Sequence, residues 1–310
     1  MIEVSLLGTG GMVPLHNRFL TSMVLRCNGS MLLVDCGEGT QVTLKQLGWG
    51  FKRLDYICFT HLHADHISGL PGLLLTIGNS DRTEPLTIIG PRRIQEVVQS
   101  LRVIAPELPF SIRFIELPYK KNAAVSCMLG ELKMSALRLH HTMECIGYSF
   151  FLGRAGKFDA DRAKQQDIPI RLWSKLQKGE TVEQDGKIYT PDMVLGENRK
   201  GIKISYMTDT RPTALIPQFI ADSDLFICEG LYGDDEMQQK AKDHKHMVFS
   251  EAAELAKKGN VNELWLTHFS PAMPNPTYYA RFAKRIFENA HVGYDRMTKT
   301  CLFEGEDEET

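Results

Sequence analysis

Residues 59–74, "FTHLHADHISGLPGLL", constrain this chain more than any other stretch. Three histidines and an aspartate fall within six positions, directly after an apolar run. If Tyr56–Phe59 is a strand, His61 and His63 follow in extended chain, two apart and facing the same way. Asp65 and His66 then fall where the chain turns into a helix beginning near Ile67. Two imidazoles facing together, with a carboxylate and a third imidazole on the next turn, can serve two adjacent cations. Such donors suit zinc first, with manganese or iron as alternatives. A lone histidine at a strand end is usually an ordinary surface or core residue. Four ligand-type side chains in "HLHADH", at a strand-to-helix turn, read as a metal motif.

Such a motif needs further ligands, and similar strand ends recur. "ICFTH" places Thr60–His61 after one apolar strand, "ISYMTD" places Thr208–Asp209 after another, and "LWLTH" places Thr267–His268 after a third. In layered α/β folds such ends converge on one edge, where sites are built. Asp209 suits a bridging position because a carboxylate offers two oxygens. In "LRLHHTMECIGYSF", His140 and His141 follow strand-like alternation, and only one need face the metals. Asp35, in "LLVDCGEGTQ", either orients a ligand histidine or caps the helix at Thr40. Glu229 and His246 are candidates for proton handling, although "DHKHMVF" alone reads as a solvated loop. His16, His244 and His291 lack supporting context and are read as structural.

The 310 residues are 43% hydrophobic, so a large core can be buried. Apolar, β-branched runs predict strands over Ile2–Leu7, Ser22–Cys27, Met31–Val34, Tyr56–Phe59, Leu86–Ile89 and Ile112–Leu117. Further strands are expected over Leu132–Leu139, Gly147–Leu152, Ile202–Met207, Leu225–Cys228 and Leu264–Leu266. Helical periodicity covers Thr40–Leu47, Ile67–Ile77, Pro91–Val103, Phe249–Lys258 and Thr277–Glu288. Paired early strands and later strand–helix alternation suit an α/β fold of two packed sheets with helices outside. Residues 153–199 break this rhythm: they are polar, without a convincing strand core, and read as a protruding insertion.

The net charge of -2 gives no global attraction to polyanions, so any nucleic-acid contact needs a local basic patch. The insertion offers one in Arg154, Lys157, Arg162, Lys164, Arg171, Lys175 and Lys178, diluted by Asp159, Asp161 and Asp167. Phe158 and Trp173 are read as packing rather than stacking. The seven cysteines form no pair motif and are expected to be reduced, in a cytoplasmic protein. No signal peptide or membrane span is expected. The acidic end, "EGEDEET", reads as a solvated tail.

Together "LLGTGG", "LLVDCGEGTQ", "FTHLHADHISGLPGLL", "YMTDTRP" and "LTHFS" resemble the metallo-β-lactamase fold. "IIGP", "GYSF" and "GRAGKFD" with "KLQKGETV" narrow this to a resemblance to the ribonuclease Z family of tRNA 3′-processing endonucleases, in its short form. The resemblance runs from Ser5 to about Tyr294. It implies a four-layer αββα sandwich, one domain over 1–310, with 153–199 as a flexible arm gripping the tRNA elbow. It implies two zinc ions per subunit, one held by His61, His63 and His141, the other by Asp65, His66 and His268, with Asp209 bridging. His141 is preferred over His140 by its spacing to Gly147–Tyr148. Asp65 would handle the attacking water, and His246, partnered by Glu229, would protonate the leaving oxygen. Gly153, Arg154, Gly156, Lys157 and Phe158 would belong to the RNA-gripping surface.

The resemblance further implies precursor tRNA as substrate, a homodimer, and products carrying a 3′-hydroxyl on the tRNA and a 5′-phosphate on the trailer. The chain departs from the family pattern at Met247–Val248, where Ser or Thr is usual, at Cys228, where His is common, and in "NRKGIK" (Asn198–Lys203), which lacks an Arg after Gly201. "HxHxDH" also occurs in other hydrolases of the fold. Hydrolysis of a small phosphodiester or (thio)ester is therefore the alternative. A non-catalytic RNA-binding role is opposed by the complete ligand set.

Overall fold

The computed structural model describes residues 1–118 and 123–306. The last four residues of the acidic end lie outside it. Strands β1 (Ile2–Gly8), β2 (Ser22–Cys27), β3 (Ser30–Val34), β4 (Leu54–Cys58), β5 (Leu86–Gly90) and β6 (Ile112–Glu116) join β16 (Thr298–Cys301) in one sheet. Its order is β16-β1-β2-β3-β4-β5-β6. A second sheet takes β7 (Val125–Leu129), β8 (Leu132–Arg138), β9 (Ile146–Arg154), β12 (Arg199–Met207), β13 (Leu225–Glu229), β14 (Leu264–Thr267) and β15 (Ala290–Val292). There the order is β15-β14-β13-β12-β9-β8-β7.

Local chemistry explains the early hairpin. Asn28 and Gly29 both have positive φ, 47° and 78°, and Cys27 pairs with Ser30. This is the two-residue turn that Asn-Gly favours. After it the chain changes habit. β3 through β6 run parallel, and so do β12 through β15. Parallel neighbours need crossovers. These carry α1 (Thr40–Leu47), α2 (Ala64–Ile67), α3 (Leu70–Gly78) and α4 (Ile94–Leu101) on the first sheet. α7 (Ile216–Ile220), α8 (Gln238–His244), α9 (Phe249–Lys258) and α10 (Ala280–Lys284) serve the second.

The inner faces of the two sheets bury a common core, with Val4, Leu25 and Val34 from one and Tyr148, Phe150, Ile204 and Trp265 from the other. The outer faces pack under the helices: Leu33, Ile57 and Leu73 on the first side, Phe226, Leu266 and Phe249 on the second. Each such side chain contributes about 1.5–3 kcal/mol relative to exposure. The result is the four-layer αββα arrangement. Among the described residues no helix is long and apolar enough to cross a membrane.

Several expectations are corrected. The helix expected over Ile67–Ile77 is two helices, broken at Ser68–Gly69. The loop after β3 passes so close that a Cβ on Gly69 would lie 2.3 Å from the Gly37 carbonyl oxygen. The Pro91–Val103 helix shortens to Ile94–Leu101 plus a 3₁₀ turn, and Thr277–Glu288 reduces to a 3₁₀ turn and Ala280–Lys284. β7, β15 and β16 escaped pattern reading because they are short, partly exposed edge or near-edge strands. The polar insertion also has structure of its own. Helices α5 (Ala160–Gln165) and α6 (Ile170–Gln177) and the hairpin of β10 (Val182–Gln184) and β11 (Lys187–Tyr189) enclose a small core. Ala163, Ile168, Leu172, Leu176, Tyr189 and Val194 form it. Phe158 and Trp173 pack there with ring centroids 5.2 Å apart.

Candidate metal centre and proton-transfer pair

The parallel strands deliver their C-terminal ends to one edge. β3 ends before Asp35, β4 before Thr60–His61, β12 before Thr208–Asp209, β13 at Glu229 and β14 before His268. Asp35, Asp209 and His268 leave their strands in the left-handed region, with φ of 59°, 55° and 58°. Aspartate tolerates this conformation; for histidine it costs of order 1 kcal/mol or more and is typical of functional sites. His63 precedes α2, whose first turn carries Asp65 and His66. After β8, His140 is exposed and His141 is buried at the site.

Asp209 organises the centre. Its Oδ2 lies 3.7 Å from His61 Nε2 and 3.6 Å from His141 Nε2. His63 Nδ1 completes this side, 2.9 Å from His61 Nε2 and 3.3 Å from His141 Nε2. Asp209 Oδ1 lies 3.3 Å from His66 Nε2 and 3.2 Å from His268 Nε2. Asp65 Oδ2 completes the other side, 3.7 Å from His66 Nε2 and 3.5 Å from His268 Nε2. One carboxylate thus presents a different oxygen to each of two donor sets. A basin of about 350 Å³ opens above them, rimmed by Met12, Thr142, Leu231, Asp243, His244 and His246.

The donor chemistry fits divalent cations. His66 places its Nδ1 2.9 Å from Asp35, His61 its Nδ1 3.0 Å from Thr60 Oγ1, and His141 its Nδ1 3.4 Å from the Lys245 carbonyl. Occupying Nδ1 in this way leaves Nε2 free to face inward as a ligand atom. Burial pushes the imidazoles of His61 and His63 below their ordinary range, and that of His141 down to about 4, so they are neutral. Neutral imidazole is the metal-binding form. Burial opposes a charged His66, but Asp209 and Asp35 overcome it and raise its pKa. The carboxylates therefore draw positive charge into the place where cations would supply it. Burial also disfavours charge on Asp209, yet His268, His66 and His61 hold it well below the usual carboxylate range.

Asp35 settles between its two readings. It is fully buried, and its oxygens take the Thr60 N–H at 2.8 Å as well as His66. Helix α1 has no side-chain cap. Asp35 thus orients a histidine and does not cap that helix.

A second pair flanks the donors. His246 Nδ1 lies 2.9 Å from the fully buried Glu229 Oε2, and its Nε2 is 3.9 Å from Asp209 Oδ2. Burial works against the imidazolium, but the Glu229 carboxylate raises the pKa to about 9. His246 is therefore protonated at neutral pH and aimed at the basin.

Sequence reading missed the backbone's part. The Met12 N–H donates to Asp65 Oδ2 at 2.7 Å, and Met12 holds φ at 69°. A Cβ on the preceding Gly11 would lie 2.6 Å from His268 Cε1. The glycine run in "LLGTGG" was the available signal. His244, read as structural, stands on the basin rim with Nδ1 3.0 Å from Tyr232 Oη.

The departures from the family pattern point elsewhere. Met247 and Val248 are buried in apolar clusters, and their N–H groups go to Glu229 and Glu251. Cys228 is buried within β13. From Arg199 onward "NRKGIK" is strand, and Lys203 Nζ donates to the Phe219 and Ala221 carbonyls. In the insertion, Lys157, Arg162, Lys164, Arg171, Lys175 and Lys178 are exposed. Gly153 is exposed and Gly156 buried, while Phe158 joins the small core. Arg154 is engaged by Glu306 at 2.8 Å, the Glu304 carbonyl at 2.7 Å and the Phe303 ring at 4.8 Å.

Two seven-stranded sheets between helices, with histidines and aspartates gathered at the strand ends, define a metallo-β-lactamase-fold hydrolase. A ribonuclease Z from Lachnoclostridium phytofermentans is 52% identical over 304 residues, covering 98% of this chain and 99% of that protein. One from Lachnospira eligens is 53% identical over 306 residues, covering 99% and 100%. The crystal structure of the human short form of tRNase Z superposes with a TM-score of 0.68 at 25% identity, covering 96% and 98% of the two chains. The metallo-β-lactamase fold protein YhfI from Bacillus subtilis also scores 0.68, at 19% identity and the same coverage, and supports the fold. The family model of the Anti-Pycsar protein Apyc1 matches residues 2–194, a span that stops before Asp209, Glu229, His246 and His268. The chain belongs to the ribonuclease Z family.

Proposed function

We propose that this protein is a metal-dependent endoribonuclease that removes 3′ trailers from precursor tRNA. The observation that carries the reading is the juxtaposition of two donor sets on Asp209 with the His246–Glu229 pair beside them. His61, His63 and His141 would hold one cation and Asp65, His66 and His268 the other, with Asp209 between. Cations bound there would neutralise charge on the phosphate and lower the pKa of water. Asp65, held by the Met12 N–H, orients the attacking water and accepts its proton. As the water oxygen bonds to phosphorus, the bond to the 3′ oxygen breaks. His246 gives that oxygen its proton, and Glu229 holds the ring in place. The tRNA leaves with a 3′-hydroxyl and the trailer with a 5′-phosphate.

The proposal takes two zinc ions per subunit, supported by the nitrogen-rich donor set. It takes a cytoplasmic setting, supported by seven unpaired cysteines. It takes a homodimer from the family resemblance. The exposed cations of the insertion support its use as a phosphate-contacting arm.

The test is cleavage of a precursor tRNA with zinc and with manganese, mapping both new ends, by the full chain and by a variant lacking residues 155–198. The reading requires cleavage at the 3′ end of the tRNA body, and strong loss on deletion while a small phosphodiester is still hydrolysed. Turnover of the small ester alone, by both forms, would favour small-phosphodiester hydrolysis instead.

A further inference from the structure

Two residues beyond Asp209, Arg211 makes a set of contacts that the proposed chemistry does not use. Its Nη1 lies 2.8 Å from Glu251 Oε2, and its Nη2 donates to Glu251 Oε1. Nη1 also donates to the carbonyl oxygen of His246. Its own N–H reaches the His140 carbonyl at 3.0 Å. Glu251 accepts the Val248 N–H at 3.1 Å, which ties it to the first turn of α9. Both side chains are largely buried, 14% and 11% exposed. The guanidinium is thus occupied by a carboxylate and a carbonyl and does not face the basin as a substrate clamp.

We infer that the Arg211–Glu251 pair is the positioning device for the His246 acid, an inference that rests on the proposed role of His246. Glu229 holds the ring through Nδ1 and takes the Met247 N–H of the 246–247 peptide at 3.2 Å, but it leaves the carbonyl of that peptide to another partner. The His246 N–H goes to the Ala241 carbonyl at 2.8 Å, and Arg211 takes the His246 carbonyl on the face of the 246–247 peptide opposite to Glu229. The hub is compact. Asp209 faces the donor sets, the Thr210 N–H donates to Glu229, and Arg211 takes the His246 carbonyl. Three successive residues therefore link cation bridge, acid partner and acid, and preserve the 3.9 Å between His246 Nε2 and Asp209. Arginine suits this post because its rigid fork serves a carboxylate and a third acceptor together, which a lysine ammonium does not.

An ion pair that merely docked α9 would, on removal, harm every substrate alike. A positioning pair harms only reactions whose leaving group needs the acid. The full metal-loaded chain and its R211K, R211M and E251Q variants are assayed on precursor tRNA, whose 3′ oxygen leaves as an alcohol. They are assayed also on bis(p-nitrophenyl) phosphate, whose phenolate leaves without a proton. Zinc content and thermal melts are recorded in parallel. For R211M, kcat on precursor tRNA should fall about 100-fold, the lower range for a lost general acid, with KM changed by less than about threefold. Turnover of the aryl ester should fall by no more than about threefold, because the acid contributes little there. R211K should recover part of the tRNA rate, and E251Q should show the same split at smaller size.

Proportional losses on both substrates at intact zinc content, or wild-type behaviour of R211M on both, would overturn the inference. If R211M loses zinc or its folded melt, the same split in R211K and E251Q decides the matter. Failure of the wild-type chain on precursor tRNA would remove the proposed substrate alone. The split is then read between the aryl ester and a dinucleoside phosphate.

Discussion

Asp35 and His66, separated by 31 positions, meet inside the protein with Oδ2 2.9 Å from Nδ1, both side chains fully buried. The carboxylate arrives at the end of one strand and the imidazole on the helix after the next. It sets the ring so that Nε2 faces Asp209 and His268.

Asp35→Asn keeps the shape but removes the charge that fixes this tautomer. Cation affinity at the His66–His268 set should weaken by about 10–100-fold, the usual effect of losing such a partner. Competition with a chelator of known zinc affinity measures it. Unchanged affinity would remove Asp35 from that role.

Asp209→Ala removes an oxygen from each donor set at once. Bound metal measured by mass spectrometry should fall well below half of the wild-type content, since both donor sets share this residue. Phosphodiesterase activity should fall by about a thousandfold or more, several kcal/mol of lost charge stabilisation. Retention of one tightly bound zinc would show that a donor set stands without the bridge.

On the role proposed for His246, loss of its proton sets an alkaline limit to turnover. Its pKa is raised to about 9, so the acid is present at neutral pH and is lost as pH rises through that value. Glu229→Gln should move the falling limb of kcat down toward the ordinary imidazole value of about 6.5. The same shift bears on stability. The pair's contribution is complete below about pH 6.5 and disappears as pH rises through about 9. A kcat–pH profile of both proteins on precursor tRNA checks the sign; an unmoved limb in the variant would uncouple Glu229 from His246.

Gly11→Ala puts a Cβ where the His268 ring stands, 2.6 Å from Cε1. The loop must move, taking with it the Met12 N–H that holds Asp65. Overpacking of this kind costs about 1–3 kcal/mol, read as a lowered Tm. Zinc affinity should fall as well. Met12→Gly relieves a strained φ of 69° and is the control, expected to leave Tm level or slightly higher. A Gly11→Ala protein with full metal content and normal Tm would show that the loop yields freely.

Much of the centre was legible because ligand chemistry is written in residue type and local order. Three apolar runs ending in Thr plus His or Asp announced strand ends that carry donors. The helix break at Ser68–Gly69 had a local signal in Pro71, which has no N–H to give the Ile67 carbonyl, but the close approach of the Gly37 carbonyl to Gly69 was not legible. Nor was the small core of the insertion, whose apolar residues are spread among lysines and glutamines and meet only when two short helices close on a hairpin.

Sequence by itself determined which strand ends carry ligand-type side chains, the alternation of strands and helices, and the basic character of the insertion, because each depends on neighbours along the chain. The tertiary structure decided that His141 and not His140 faces inward, that Asp35 holds His66 and not helix α1, and that Asp209 turns one oxygen to each donor set. Those choices depend on the register of parallel strands and on how two sheets pack. Such relations join residues tens to hundreds of positions apart, and no local pattern records them.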